Sequence, residues 1–186
     1  MKTKDHLLLG RFVLKYEGLA LDSLRQRMFL WGCVEPDYNP FTYARGSLKH
    51  AFLRGHHTEN ARQHLARMTR RLKKTGVHTP LQWFRLGAAL HYLADSFTFS
   101  HNCDFSGNLK EHRIYEALLH PVFNGYVREM LSPSHAEENQ EPVACCHRRY
   151  LSDVRSFQTD CRYILNAALG LCQQLGLQPA PAGAPA

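Results

Sequence analysis

The stretch Thr79-Pro80-Leu81-Gln82-Trp83-Phe84-Arg85-Leu86-Gly87-Ala88-Ala89-Leu90-His91-Tyr92-Leu93-Ala94-Asp95-Ser96-Phe97-Thr98-Phe99-Ser100-His101 decides the reading of this chain. It opens with a strong helix start: threonine in the capping position, proline at the first helical position, and Gln82 three residues on to complete a capping box. Leu86, Ala89, Leu90, Leu93 and Ala94 then recur at helical spacing, which predicts a helix to about Ser100. His91 and Asp95, four apart, point from one face of it.

Outward from this segment the periodicity stays helical. A first helix is expected from about Lys4 to Glu17, with Thr3 as N-cap and Gly18 past its end. A second follows Asp22, with Leu24, Met28, Phe29 and Trp31 on its apolar side. Gly32 to His57 holds Pro36, Pro40, Gly46 and Gly55 and reads as a long irregular connection, the kind that usually carries function. A third helix runs from Thr58 to Gly76. Asn108 and Glu111 repeat the capping box for a helix reaching about Leu131, where Ser132-Pro133 stops it. A polar loop surrounds Glu137 to Glu141, and a last helix spans roughly Tyr150 to Leu175, with Val154, Phe157, Cys161, Ile164, Leu165 and Ala168 inward. The expectation is an all-α single-domain multi-helix bundle over 1–177, with a metal cluster in a cleft. A proline- and alanine-rich tail, 178–186, is expected to be disordered.

The bulk properties agree. At 186 residues, 44% of them hydrophobic, the chain can bury one core. A formal charge of +7 favours anionic partners: phosphate esters, anionic lipid surfaces or nucleic acid. The basic run Arg62 to Lys74, with Arg67, Arg70, Arg71, Lys73 and Lys74, reads as a solvated helix face. Cys33, Cys103, Cys145, Cys146, Cys161 and Cys172 form no CxxC pair and read mostly as reduced core residues. Met1-Lys2-Thr3-Lys4 followed by Leu7-Leu8-Leu9 is no convincing signal peptide, and no apolar run is long enough to span a membrane. A cytoplasmic location is expected.

Twelve histidines are roughly three times ordinary usage and the first hint of metal. His112 and Glu116 form a second four-residue pair on the next helix, and His101 lies between the two pairs. Imidazole and carboxylate are the ligands zinc accepts, and two antiparallel helices can aim such groups at one cavity. One pair proves little, since about one is expected by chance in a chain of this composition. Hydrogen-bonded core pairs would account for either.

The surrounding residues carry more. Gly87 to His101, with its His-x3-Asp-x5-His run, closely resembles the central motif of the zinc-dependent phospholipase C family. His112-Arg113-Ile114-Tyr115-Glu116 is similar to that family's later His-x3-Glu. Trp31-Gly32-Cys33-Val34-Glu35-Pro36-Asp37 and Arg54-Gly55-His56-His57 resemble its loop aspartate and following histidine, and His6 before Leu7-Leu8-Leu9 its N-terminal ligand.

The resemblance implies two or three zinc ions. Asp37, His56, His91 and Asp95 would hold one; His101, His112 and Glu116 a second; His6, with Asp95 bridging, a third. His57 is the alternative to His56. Asp37 would also be the general base, and Tyr38 matches an aromatic that contacts choline. The implied activity is phosphoric-ester hydrolysis, with zinc-activated water attacking a phosphodiester, a phospholipid first among substrates, reached at a transient anionic membrane surface. A zinc-dependent nuclease of a related fold and a zinc-binding protein without turnover are the alternatives. Two departures stand out. The secreted members use an N-terminal tryptophan on the third zinc, and no tryptophan precedes Trp31 here. Leu53 replaces the aromatic before their second histidine.

His50, His64, His78, His120, His135 and His147 read as surface or loop residues, and Cys145-Cys146-His147 lacks a partner pair for metal.

Overall fold

A computed structural model describes residues 1–39, 58–132 and 143–177, the side chains of 58–60 and 143–146 excepted. His56, His57, the loop around Glu137 to Glu141 and the tail 178–186 lie outside the described residues, as do His50, His135 and the side chains of Cys145 and Cys146. The described residues form seven α-helices and one short 3-10 turn, with no strand among them. The helices are α1 (Thr3–Tyr16), α2 (Ser23–Tyr38), α3 (Thr58–Thr75), α4 (Pro80–Ser96), α5 (Leu109–Met130), α6 (Val143–Ser152) and α7 (Phe157–Gln174). The all-α expectation holds.

Helix α4 is the axis of the molecule. Its capping box forms as read: Thr79 Oγ1 accepts from the Gln82 N–H, and Gln82 Oε1 accepts from the Thr79 N–H at 2.8 Å. From Leu86 to Ser96 every residue is buried, because α1, α2, α3 and α7 all pack against it. The closest of these packings is with α2, and two glycines make it possible. A Cβ on Gly32 would stand 2.0 Å from the Phe84 carbonyl oxygen, and one on Gly87 would stand 2.2 Å from that of Phe29. Backbone meets backbone there, which fixes α2 against the helix carrying His91 and Asp95.

Several boundaries differ from the sequence reading, each for a local reason. Thr3 is inside α1 and Lys2 is the N-cap, because the Lys2 carbonyl already accepts from the Asp5 and His6 N–H groups. Helix α2 does not stop at Gly32 but runs to Tyr38 with Pro36 inside it. A proline in the last turn removes one hydrogen bond near the helix end, and Asn39 closes that end by donating its N–H to the Glu35 carbonyl at 2.9 Å. Leu24 and Trp31, expected inward, are about half exposed, while Phe29 is buried.

The C-terminal helix is two helices. Asp153 Oδ1 accepts from the Val154 N–H at 2.7 Å, and Ser156 caps α7 by accepting from the Thr159 N–H at 3.0 Å. These side chains capture the backbone between α6 and α7, and Val154 is left 76% exposed. Beyond the break Cys161, Ile164, Leu165 and Ala168 are buried as expected. Cys33, Cys161 and Cys172 are buried free thiols, whereas Cys103 is exposed. No described helix is long and apolar enough to cross a membrane.

Candidate metal centre

Helix α4 was expected to reach Ser100, but it ends at Ser96, and Phe99–His101 form a separate 3-10 turn. Thr98 and Asn102 make the break: Thr98 Oγ1 donates to the Ala94 carbonyl, and Asn102 Nδ2 donates to the carbonyls of Ser96 and Thr98. The break matters for chemistry. In an uninterrupted helix His101 would lie about 240° around the axis from Asp95, facing elsewhere. Folded back by the turn, His101 Nε2 sits 3.6 Å from Asp95 Oδ1.

Two groups of ligand-type atoms result, each with its atoms within 4.8 Å of one another: His6, His91 and Asp95, and His101, His112 and Glu116. In the first, His6 from α1 lies with its Nε2 3.2 Å from Asp95 Oδ1, and its ring stacks on that of His91 at 3.7 Å between centroids. His91 Nε2 is 3.3 Å from Asp95 Oδ2 and 3.6 Å from Asp37 Oδ1. The carbonyl of Cys33 lies 2.9 Å from His91 Nδ1. A carbonyl only accepts, so Nδ1 carries a proton, and Nε2 is the nitrogen turned towards the carboxylates. That is the arrangement of a metal-ligating histidine oriented by its backbone partner.

In the second group, His101 Nε2 stands 3.2 Å from both Glu116 Oε1 and His112 Nε2. The α-amine of Met1 reaches both groups, at 2.8 Å from Asp95 Oδ1, 3.0 Å from Glu116 Oε1 and 3.1 Å from His101 Nε2. Burial alone would lower its pKa, but the two carboxylates beside it outweigh burial and push it up to about 11.

The electrostatics are those of anions waiting on cations. Burial opposes ionisation of Asp95, yet His101, the Met1 amine, His6 and His91 hold it well below the usual carboxylate range. Glu116 is likewise depressed despite its burial, by the Met1 amine and His101. Burial and the neighbouring His91 lower His6 to about 4, while burial and His101 lower His112 to about 4, so both stay neutral. Asp95 and Asp37 outweigh the effect of burial on His91 and raise its pKa.

A metal fits these residues on the chemistry of the donors and on what they lack. Neither ring nitrogen of His6 makes a hydrogen bond, and Asp37 Oδ2 is buried without one. Such atoms are costly to bury unpartnered, and a cation answers several at once.

Of the residues singled out from the sequence, His6, Asp37, His91, Asp95, His101, His112 and Glu116 converge here. Tyr38 lies on the exposed surface of α2, with its ring parallel to that of Trp31 at 6.0 Å. Three histidines read as surface residues are half-buried and engaged. His64 meets the Tyr92 ring edge-on at 5.2 Å, and His147 Nε2 donates to the Ser96 carbonyl at 3.0 Å. His120 Nδ1 makes a short contact with Asp5 Oδ1, tying α5 to α1 beside His6. The signal for it was present: His112, Glu116 and His120 recur every four residues on α5.

Behind the second group lies a buried carboxylate that the sequence reading missed. Asp160 of α7 accepts from the Phe99 N–H at 3.0 Å, the Tyr115 hydroxyl at 2.9 Å and the Tyr150 hydroxyl at 2.8 Å. It thereby anchors the turn that carries His101 and the residue before Glu116.

No curated protein and no solved structure matches this chain. The family model for zinc-dependent phospholipase C matches residues 5–166. That span contains all seven side chains gathered at this centre, and the chain belongs to the zinc-dependent phospholipase C family.

Proposed function

We propose that the protein is a zinc-dependent phosphodiester hydrolase that cleaves the head-group ester of a phospholipid. One observation carries this: two three-residue ligand groups meet at Asp95 and His101, whose facing atoms are 3.6 Å apart. Neighbouring groups of this kind suit the paired ions of phosphoryl-transfer sites. Asp37, His91 and Asp95, with His56, would hold one ion, His101, His112 and Glu116 a second, and His6 with bridging Asp95 a third. Zinc bound there supplies Lewis acidity to the phosphoryl oxygens and lowers the pKa of the attacking water towards neutrality.

The chain's own residues do the rest. Cys33 holds the His91 ring in the tautomer a ligand needs. Asp37 accepts the proton of the attacking water at Oδ2, the oxygen left without a hydrogen bond. Tyr38, next in sequence and exposed, contacts the head group at the rim.

The test is a zinc-loaded sample offered phospholipid vesicles, nitrophenyl phosphocholine and single-stranded DNA. Hydrolysis of the first two is expected, rising with pH and then levelling. Asp37→Ala should abolish it, with zinc content measured in parallel. Cleavage of DNA alone would replace this reading with a nuclease, and no turnover at full zinc occupancy would replace it with a binding protein.

A further inference from the structure

The face of α4 next to the metal ligands carries Ala88 and Tyr92, and it borders a cavity of about 370 Å³ between α2, α3 and α4. Three guanidinium-bearing residues line it: Arg67 and Arg71, one turn apart on α3, and Arg85 on α4. Arg67 and Arg71 are exposed and Arg85 is half-buried, and like charges four apart on a helix repel by at most a few tenths of a kcal/mol. Arg25, Arg155 and Arg162 pair with Asp22, Asp104 and Asp153 at 2.6–3.0 Å, whereas other surface arginines such as Arg70 and Arg113 have no ion pair among the described residues. Among the described residues no carboxylate lies within ion-pair distance of Arg67, Arg71 or Arg85. The one acidic residue in the lining, Glu35, accepts from Asn39 Nδ2 at 2.6 Å.

The remaining wall is formed by Met68, Phe84, Ala88 and Tyr92, with the His64 ring edge-on to that of Tyr92. The volume lies at the small end of ligand sites, enough for a phosphate on a short carbon skeleton and too little for acyl chains. Guanidinium groups match phosphate oxygens in a fork geometry and favour a dianion.

The geometry points to a binding site for a phosphate monoester, with the phosphate among Arg67, Arg71 and Arg85 and its carbon skeleton against Phe84 and Met68. This site is separate from the metal ligands and does not depend on what the metal centre hydrolyses. Two sources present the same chemistry: a soluble ester such as glycerol 3-phosphate, and the head group of phosphatidic acid at a membrane surface.

The zinc-loaded protein is titrated with inorganic phosphate, glycerol 3-phosphate, and phosphatidylcholine vesicles with and without phosphatidic acid. The arginine Nε–H and α3 amide signals are followed by NMR. Saturable shifts at Arg67, Arg71 and Arg85 are expected, and the Arg67→Gln/Arg71→Gln variant should weaken the affinity by about tenfold or more. Phosphate bound at the metal centre is told apart because it survives in that variant. Hydrolysis of nitrophenyl phosphocholine by the variant should match the parent, and an unchanged helical spectrum shows that it folds. A response to soluble esters assigns a metabolite site; a response to phosphatidic acid vesicles alone, lost in the variant, assigns a lipid head group. Three results overturn the proposal: no saturable shift with any probe, equal affinity in the variant, or equal shifts with acetate.

Discussion

Asp95 and Asp160 are both buried carboxylates on neighbouring helices, and their surroundings push them in opposite directions. Asp95 faces the Met1 amine and His6, His91 and His101, which hold it ionised. Asp160 faces one backbone N–H and two tyrosine hydroxyls, donors without charge, and burial raises its pKa to about 6 despite them. The first site gathers donors of electron pairs that want a cation between them. The second satisfies itself with hydrogen bonds and works as a clamp. Burial of an acidic side chain is therefore no guide to its role; the charge of its partners is.

The sharpest way to break this contrast is Asp95→Asn. A neutral amide in place of the shared carboxylate should remove about one zinc ion or more per chain, read by elemental analysis, and with it the hydrolytic rate. Full metal content in this variant would make Asp95 a structural residue like Asp160.

Next in size is metal removal. Ions bound only to the native state at a thousandfold excess over their dissociation constant add about 4 kcal/mol of stability. Chelation should then lower the melting temperature of the parent by roughly 10 °C. It should move Asp95→Asn much less. An unchanged melting curve after verified metal loss would favour hydrogen-bonded core pairs at both sites.

Asp160→Ala leaves one buried and two half-buried donors without an acceptor and should cost about 3 kcal/mol in denaturant unfolding. Zinc affinity should also fall, by about tenfold or more, because the His101 turn loses its anchor. The smallest effect is a pH dependence. A carboxyl whose folded pKa is raised from 3.8 to about 6 keeps its proton longer in the native state than in the unfolded one. Its contribution is therefore most favourable below pH 4, is lost as pH rises towards 6, and is constant above. Compared with Asp160→Asn, the parent should lose about 2 kcal/mol or less of stability between pH 4 and 7.

The helices with strong local signals were legible in the sequence. Capping boxes at Thr79 and Asn108 and the cap at Asp22 state their own boundaries, because a side chain and a nearby N–H decide them. The breaks were not. Pro36 and Gly32 look like stop signals, yet packing against Gly87 keeps α2 helical. Val154 looks apolar and inward, yet Asp153 and Ser156 take the backbone out of the helix. The candidate ligand residues that converge were legible through spacing and resemblance together, while Asp5 with His120, and Asp160 with its tyrosines, were not. Asp5–His120 and Tyr115–Asp160 join residues 115 and 45 positions apart, and Tyr150–Asp160, only 10 apart, spans the break between α6 and α7, so no local period announces them.

The crossing at Gly32 and Gly87 has a consequence for how this protein can drift over evolutionary time. Ordinary helix pairs set their separation through side-chain volumes, so every core replacement shifts it a little. Here main chain rests on main chain, and the distance from Asp37 to His91 is insulated from that drift. Core neighbours such as Phe29 and Leu90 are free to trade shape for shape with little effect on the metal spacing. The two glycines have no such latitude: alanine at either would meet a carbonyl at about 2 Å and wedge the ligands of one helix away from those of the other.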